Sequence, residues 1–405
     1  MEEQSKPADI VIKTKKSNRK TSIYTFAGLF VAVSLFTSGW LFGSGRLSIR
    51  TDGFVPTVEQ SGTVPTDGLD ELYNKLKSNY DGDASDAELL EGLKEGLANA
   101  VGDPFTEYLS AEETQEFNEG LNGTFEGIGA ELGKEGNFVI IVAPIKGTPA
   151  ANAGLQPQDI VVEINGESAA DISVTEAVSR IRGPKGEEVK LTLIREGERV
   201  EVSIVRDTIS IASVESEMDN GVGIITISRF GNDTVKLARE AATDLKERGA
   251  TKIVLDLRSN PGGLLDASVE VASIWLNKGS TVLEEKRGDE VIKTYKTNDL
   301  PILAGIPTVV LIDEGSASAS EIVAGALKDN NAATLIGKTS FGKGSVQRLI
   351  PLDSGGSLKV TIARWFTPAG KNIDKEGISP DKEVDLTAED REAGRDPQLD
   401  AAKQQ

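Results

Sequence analysis

Between residues 222 and 338, apolar strand-like runs alternate with helix-like runs, and this alternation constrains the fold more than any other feature of the chain. VGIITISRF, KIVLDLR, PTVVLID and ATLIG read as strands, while TVKLAREAATDLKERG, LDASVEVASIWLN and EIVAGALKD read as helices. Repetition of this kind forms parallel strand pairs with right-handed crossovers. Strands so continuously apolar belong to a sheet covered on both faces. Two loops, SNPGG and GSASAS, each follow a strand and precede a helix. In a parallel sheet both lie at the carboxyl edge, where open α/β sheets place their sites.

GSASAS carries Ser316, Ser318 and Ser320 at alternate positions. A serine at a helix start can act as a nucleophile, but each of these also suits a turn or a cap. Ser318 with Glu321 matches the S-x-x-E capping box. The chain of 405 residues contains no histidine and no cysteine. That excludes a Ser-His-Asp triad, a thiol nucleophile, disulfides, and histidine or thiolate metal sites. Acid–base work falls to Asp, Glu, Lys or Tyr. A lysine acts as a base only when neutral, and burial favours the neutral form. Lys343 in SFGKGS and Lys338 in IGKTS compete for that role, and the flanking glycines and phenylalanine slightly prefer Lys343. A P-loop would need glycine at Ala332, and a dinucleotide fingerprint would need glycine at Leu132, so neither is present.

The net charge of −20 disfavours nucleic acid as a partner. Lys13, Lys15, Lys16, Arg19 and Lys20 precede an uncharged run from Thr21 to Gly45, long enough as a helix to cross a bilayer. The expectation is a cytoplasmic tail at 1–21, an uncleaved single-pass anchor at 22–45 and a linker at 46–68, with a cleaved signal as the alternative. Residues 69–118 read as helical, with Asp86 as an N-cap; their leucines suit core packing or a homodimer interface. Residues 119–207 hold short β-like runs, NFVIIVAPI, DIVVEING, VKLTLIRE and RVEVSIVRD, and one helical stretch, SVTEAVSRIRG. The opening FEGIGAEL clusters backbone amides at Gly127, Ile128 and Gly129.

These segments resemble a PDZ domain: GIGA matches a carboxylate-binding loop, and AGL–QDIVVEING matches the bacterial strand-turn-strand signature. Clustered amides hold a terminal carboxylate while the adjoining strand edge pairs with an extended peptide. Arg182 in RIRGPKG is a candidate contact at that groove, or an ordinary surface arginine.

From Glu71 to Asp381 the chain resembles the carboxyl-terminal processing, or tail-specific, proteases. GLANAVGDPFTEYLS, LDLRSNPGGLLDASVEVA, EGSASASEIVAGALKD, SFGKGSVQ and ARWFTPAGKNI follow in the family's order. The resemblance implies a multidomain α/β protein: a crotonase-like αββ protease core at 208–390, a PDZ domain, an N-terminal helical segment and one transmembrane helix, with 391–405 as a tail. It implies Ser318 as nucleophile, Lys343 as general base and Gln347 as the residue orienting that lysine. The backbone N–H of Ala319, with that of Gly262 or Gly263, would form the oxyanion hole. Asp329 matches an acidic position implicated in parts of the family. No metal or other cofactor is implied. The partners implied are protein substrates with exposed C-terminal tails, with the catalytic part on the extracytoplasmic side of the cell membrane. Two alternatives stand beside this reading: an inactive membrane-anchored PDZ scaffold, and an acyl-CoA hydratase-like enzyme.

Overall fold

The computed structural model describes residues 47–50, 53–56 and 67–405. The expected tail at 1–21 and anchor at 22–45 lie outside the described residues. Among the described residues no helix is long and apolar enough to cross a membrane. The chain divides into two units, one ending at Ala84 and one spanning Ser85–Gln405. In the first, Leu47–Arg50 pairs antiparallel with Gly53–Pro56 inside the stretch expected as linker, and Asp67–Asn79 is a helix.

The second unit opens with the helix Asp86–Asn99. Its N-cap is Ser85 rather than Asp86: Ser85 is in the β region, its hydroxyl accepts from the Glu88 N–H, and its N–H donates to the Glu88 carboxylate at 2.9 Å. Glu107–Leu109, inside the region expected to be helical, is a strand paired with Ser357–Lys359. A three-residue strand has too little periodicity to show in sequence; its partner 250 residues away makes it a strand. The helix Ala111–Asn122 then ends at Gly123 in the left-handed region, φ +62°.

The β-rich part is an antiparallel sheet in the order Glu198–Val205, Glu188–Arg195, Ile160–Ile164, Phe138–Pro144, Ala130–Glu135. Val139, Ile141, Val161, Leu191 and Leu193 alternate inward onto one core with Ala177 and Ile181 of the helix Val174–Ile181. Ala130–Glu135 is an edge strand. The chain enters and leaves this part through Thr124–Gly127 and Asp207–Ser210, which pair antiparallel as a two-stranded ribbon.

The following core has two sheets. One runs Val214–Asp219, Val222–Ile227, Lys252–Asp256, Thr308–Ile312, Thr334–Gly337, Lys382–Glu383, and every pair after the first is parallel. The helices Thr234–Glu247, Leu265–Ala272 and Ala319–Asp329 bury Leu245, Val271 and Val323 against one face of it, and Leu399 and Ala402 of Pro397–Gln404 pack on the other. The expected double coverage is observed, which is why Ile253, Val254 and Leu255 are all fully buried. The excursion after the second helix forms the hairpin Thr281–Arg287 with Glu290–Lys296. It joins a second sheet with Ser357–Phe366, Ser345–Pro351 and Glu107–Leu109.

Candidate active site

Lys252–Asp256 and Thr308–Ile312 are adjacent and parallel, so the turns that follow them meet at the carboxyl edge. The Ala317 N–H donates to the Asn260 carbonyl at 3.0 Å. Ser316 Oγ donates to the Leu257 carbonyl at 2.8 Å, and Ser320 Oγ donates to the Asn260 carbonyl at 3.0 Å. Both flanking serines are therefore spent on locking one turn to the other. Ser318 stands between them with φ +53° and ψ −113°, a backbone state that non-glycine residues adopt only when their surroundings impose it.

Ser318 lines a cavity of about 770 Å³ with Gly262, Gly263, Lys343, Gln347 and the apolar side chains of Phe117, Leu121, Ile322 and Trp365. Gly262, at φ +99°, comes so close that a Cβ there would sit 2.8 Å from Ser318 Cβ and 2.9 Å from the Ala319 nitrogen. Its N–H is already used, donating to Asn260 Oδ1 at 2.9 Å. The Phe230 N–H donates to the Gly262 carbonyl at 2.8 Å, and the Leu264 N–H donates to the Phe230 carbonyl at 2.7 Å. The Gly263 and Ala319 N–H groups have no protein partner among the described residues. Of the two glycines, Gly263 is thus the one with a donor to spare beside Ser318.

Lys343 reaches the cavity on a loop that the resemblance pairs with Ser318 but whose physical link to the serine turn no motif shows. The connector is Glu321, fully buried on the helix that starts after Ser318. One carboxylate oxygen accepts from the Ser318 N–H at 2.7 Å and the Lys343 N–H at 3.0 Å. The other accepts from Ser340 Oγ at 2.6 Å and the Gly342 N–H at 2.7 Å. The capping-box signature was the visible half of this arrangement. Trp365 Nε1 donates to the Lys343 carbonyl at 2.8 Å, fixing the loop from its other side.

The Lys343 ammonium lies 5.0 Å from the centre of the Phe105 ring, and no carboxylate forms an ion pair with it among the described residues. Burial pushes Lys343 below the ordinary lysine range, Lys359 pushes it the same way, and Glu107, Glu321 and Asp103 oppose. Lys338, the competitor, is paired with Asp385 at 2.5 Å and Glu383 at 2.7 Å, which hold it above that range. A base is needed uncharged, a condition that burial favours at Lys343 and that the carboxylates oppose at Lys338.

Gln347 lines the same cavity, with Nε2 donating to Ser345 Oγ at 2.7 Å and Thr361 Oγ1 at 3.3 Å. Asp329 is not brought to Ser318. It ends the helix that Ser318 begins, accepts from the Ala369 N–H at 2.9 Å and lines a separate cavity with Lys252, Thr308 and Thr334 at the opposite sheet edge. In the β-rich part, Ile128, Gly129, Leu132, Val178 and Arg182 line a hollow of about 100 Å³ between the edge strand and the helix. The Arg182 guanidinium lies 4.7 Å from the centre of the Phe125 ring. The Ile128 and Gly129 carbonyls accept from the N–H groups of Ala150 and Ile145, while Gly127 sits in the ribbon opposite Asp207.

Residues 221–384 match peptidase family S41, and residues 140–195 match a PDZ domain. The chain is 39% identical over 368 residues to the carboxy-terminal processing protease CtpA of Bacillus subtilis strain 168, covering 90% of this chain and 76% of that protein. It is 40% identical over 318 residues to a probable CtpA-like serine protease of Staphylococcus aureus strain RF122 / ET3-1, covering 78% of this chain and 64% of that relative's length. A solved structure of a Bacteroides fragilis protein described as an S41 protease shares the fold at a TM-score of 0.52, 17% identity, 83% of this chain and 92% of that one. With a relative this similar over so much of both sequences, the chain belongs to peptidase family S41, as a PDZ-bearing serine protease of the carboxy-terminal processing kind.

Proposed function

We propose that the protein is a membrane-tethered, extracytoplasmic endopeptidase that captures C-terminal tails of protein substrates on its PDZ domain. It cleaves them through a Ser318–Lys343 dyad on a crotonase-like core. The observation that carries this reading is that Ser318 and Lys343 line one cavity and are joined through the single buried carboxylate of Glu321. Neutral Lys343 takes the Ser318 proton as Oγ attacks the scissile carbonyl, and the N–H groups of Ala319 and Gly263 receive the oxyanion. Lys343 then gives the proton to the departing amine, and water hydrolyses the acyl-enzyme. Gln347, beside them, positions the amine of Lys343. The open edge of Ala130–Glu135 suits an added peptide strand, with Ile128 and Gly129 at the carboxylate and Arg182 at the groove wall. The uncharged run 21–45 supports the tether, and the exposed Leu90, Leu93 and Leu97 on one helix face support a homodimer. The carboxylates at the two turns, Glu321 and Asp313, are taken up by backbone donors there, and an acyl-CoA hydratase has no use for a PDZ domain, which sets that alternative aside.

The test uses one unstructured tail peptide with a free C-terminus and the same peptide amidated. The free peptide is expected to be cleaved and the amide to have a KM about tenfold or more higher, with Ser318→Ala inert on both. Equal KM values would remove the PDZ capture, and full activity in Ser318→Ala would remove the nucleophile.

A further inference from the structure

Three cationic side chains line the cavity among largely apolar walls: Arg229, which is bonded to Asp233 and to the Ile211 and Asn122 carbonyls, and two lysines, of which the proposed dyad uses only one. Lys359 lines it together with Lys343 but comes from a different element, the strand Ser357–Phe366. Lys359 is fixed in place. Its ammonium is 2.7 Å from Glu107 Oε1 and 5.6 Å from the centre of the Phe117 ring. Glu107 stands directly opposite Lys359 in the antiparallel pairing of Glu107–Leu109 with Ser357–Lys359. The short strand that sequence reading overlooked therefore delivers a carboxylate to the neighbour of the base.

We propose that Lys359, tethered by Glu107, is a positioning residue for the reaction: a second lysine placed in the catalytic cavity to keep Lys343 uncharged. The proposal rests on Lys343 being the base. Lys359 is ion-paired with Glu107, whereas no carboxylate pairs with Lys343 among the described residues. A neighbouring cation is an established means of activating a lysine, and it works best where apolar walls keep water out.

The charged groups facing Lys343 come from four elements. Lys359 lies on the strand Ser357–Phe366, Glu107 on the strand opposite it, Asp103 on the turn before that strand, and Glu321 on the helix below. Among them Lys359 has the largest effect, favouring the neutral amine, whereas the three carboxylates favour the ammonium. Each carboxylate is partly spent elsewhere. Glu321 accepts four hydrogen bonds, and Asp103 accepts from Thr106 Oγ1 at 2.6 Å with Arg364 nearby. The Phe105 ring also favours the ammonium, and Lys359 acts against it.

The experiment reads Lys343 without needing turnover. In the full-length Ser318→Ala protein, acetylation of Lys343 by acetic anhydride is followed against pH by peptide mass spectrometry. Lys359→Met is expected to raise the labelling midpoint by about 0.5–1.5 pH units, Lys359→Arg to leave it within about 0.3, and Glu107→Gln to lower it. Should Lys359→Met fold poorly, Lys359→Gln and Glu107→Gln carry the comparison. A midpoint that stays put or falls in Lys359→Met overturns the proposal. So does a change in the KM for tail peptides without any movement of the midpoint, which would make Lys359 a substrate contact. Undiminished processing by a Lys343→Ala enzyme would instead refute the base itself, whatever the labelling shows.

Discussion

Glu321 does at residue scale what the motif reading assigned to helix capping, and more. Fully buried, it would leave an uncompensated charge in the core were its four donors lost. Glu321→Gln replaces an acceptor oxygen by a donor amide, which must then face either Ser318 and Lys343 or Ser340 and Gly342. We expect kcat/KM to fall about 100-fold and the melting temperature to drop by a few degrees, as loss of two bonds to a charged group implies. Steady-state kinetics and calorimetry check both, and unchanged kinetics would show that the two turns hold their places without it. The serine itself was only partly legible. Residue pattern alone leaves Ser316, Ser318 and Ser320 equivalent, and what separates them is that Ser316 and Ser320 donate to carbonyls of a turn some sixty residues earlier. Lys343 over Lys338 is a slight preference from the flanking glycines and phenylalanine; the partners that set the two lysines apart, Asp385 and Glu383, come from beyond the motif.

At the scale of elements, the strand–helix alternation was enough to bring SNPGG and GSASAS to one edge, because neighbouring parallel strands leave no other place for them. It was not enough to reveal what touches that edge. Residues 229–233 grip both arms of the ribbon leading to the PDZ domain. Arg229 Nη2 donates to the Ile211 carbonyl at 2.8 Å and the Asn122 carbonyl at 3.3 Å, and Asp233 accepts from the Ser213 N–H at 3.0 Å. The next residue, Phe230, holds Gly262 and Leu264 through its backbone. Arg229→Met keeps the bulk and removes these bonds. We expect faster hydrogen exchange at 211–213 and about a tenfold loss of kcat/KM on tail peptides, since each bond to a charged donor contributes about 1.5–3 kcal/mol. Unaltered exchange and kinetics would mean that the ribbon is held by its own strand pairing.

For the whole molecule, the sequence reached the division into a PDZ domain and an α/β core because each has its own periodicity and its own motifs in family order. It reached less at the N-terminal side of the core. There, Phe105 and Glu107 sit in a stretch read as helical, yet they supply the ring over Lys343 and the partner of Lys359. Such roles depend on contacts across some 240–250 residues, which no local pattern records. On the proposed mechanism, the molecule assembles its proton-transfer pair from separate stretches of chain, and without histidine that mechanism depends on a neutral lysine. The most direct test is the rate at which a fluorophosphonate modifies Ser318 as pH is varied, followed by intact-protein mass spectrometry. The dyad predicts modification rising through a single midpoint below the ordinary lysine range of about 10.4 and falling by about 1,000-fold or more in Lys343→Ala. Modification of Ser318 at an undiminished rate in Lys343→Ala would contradict it.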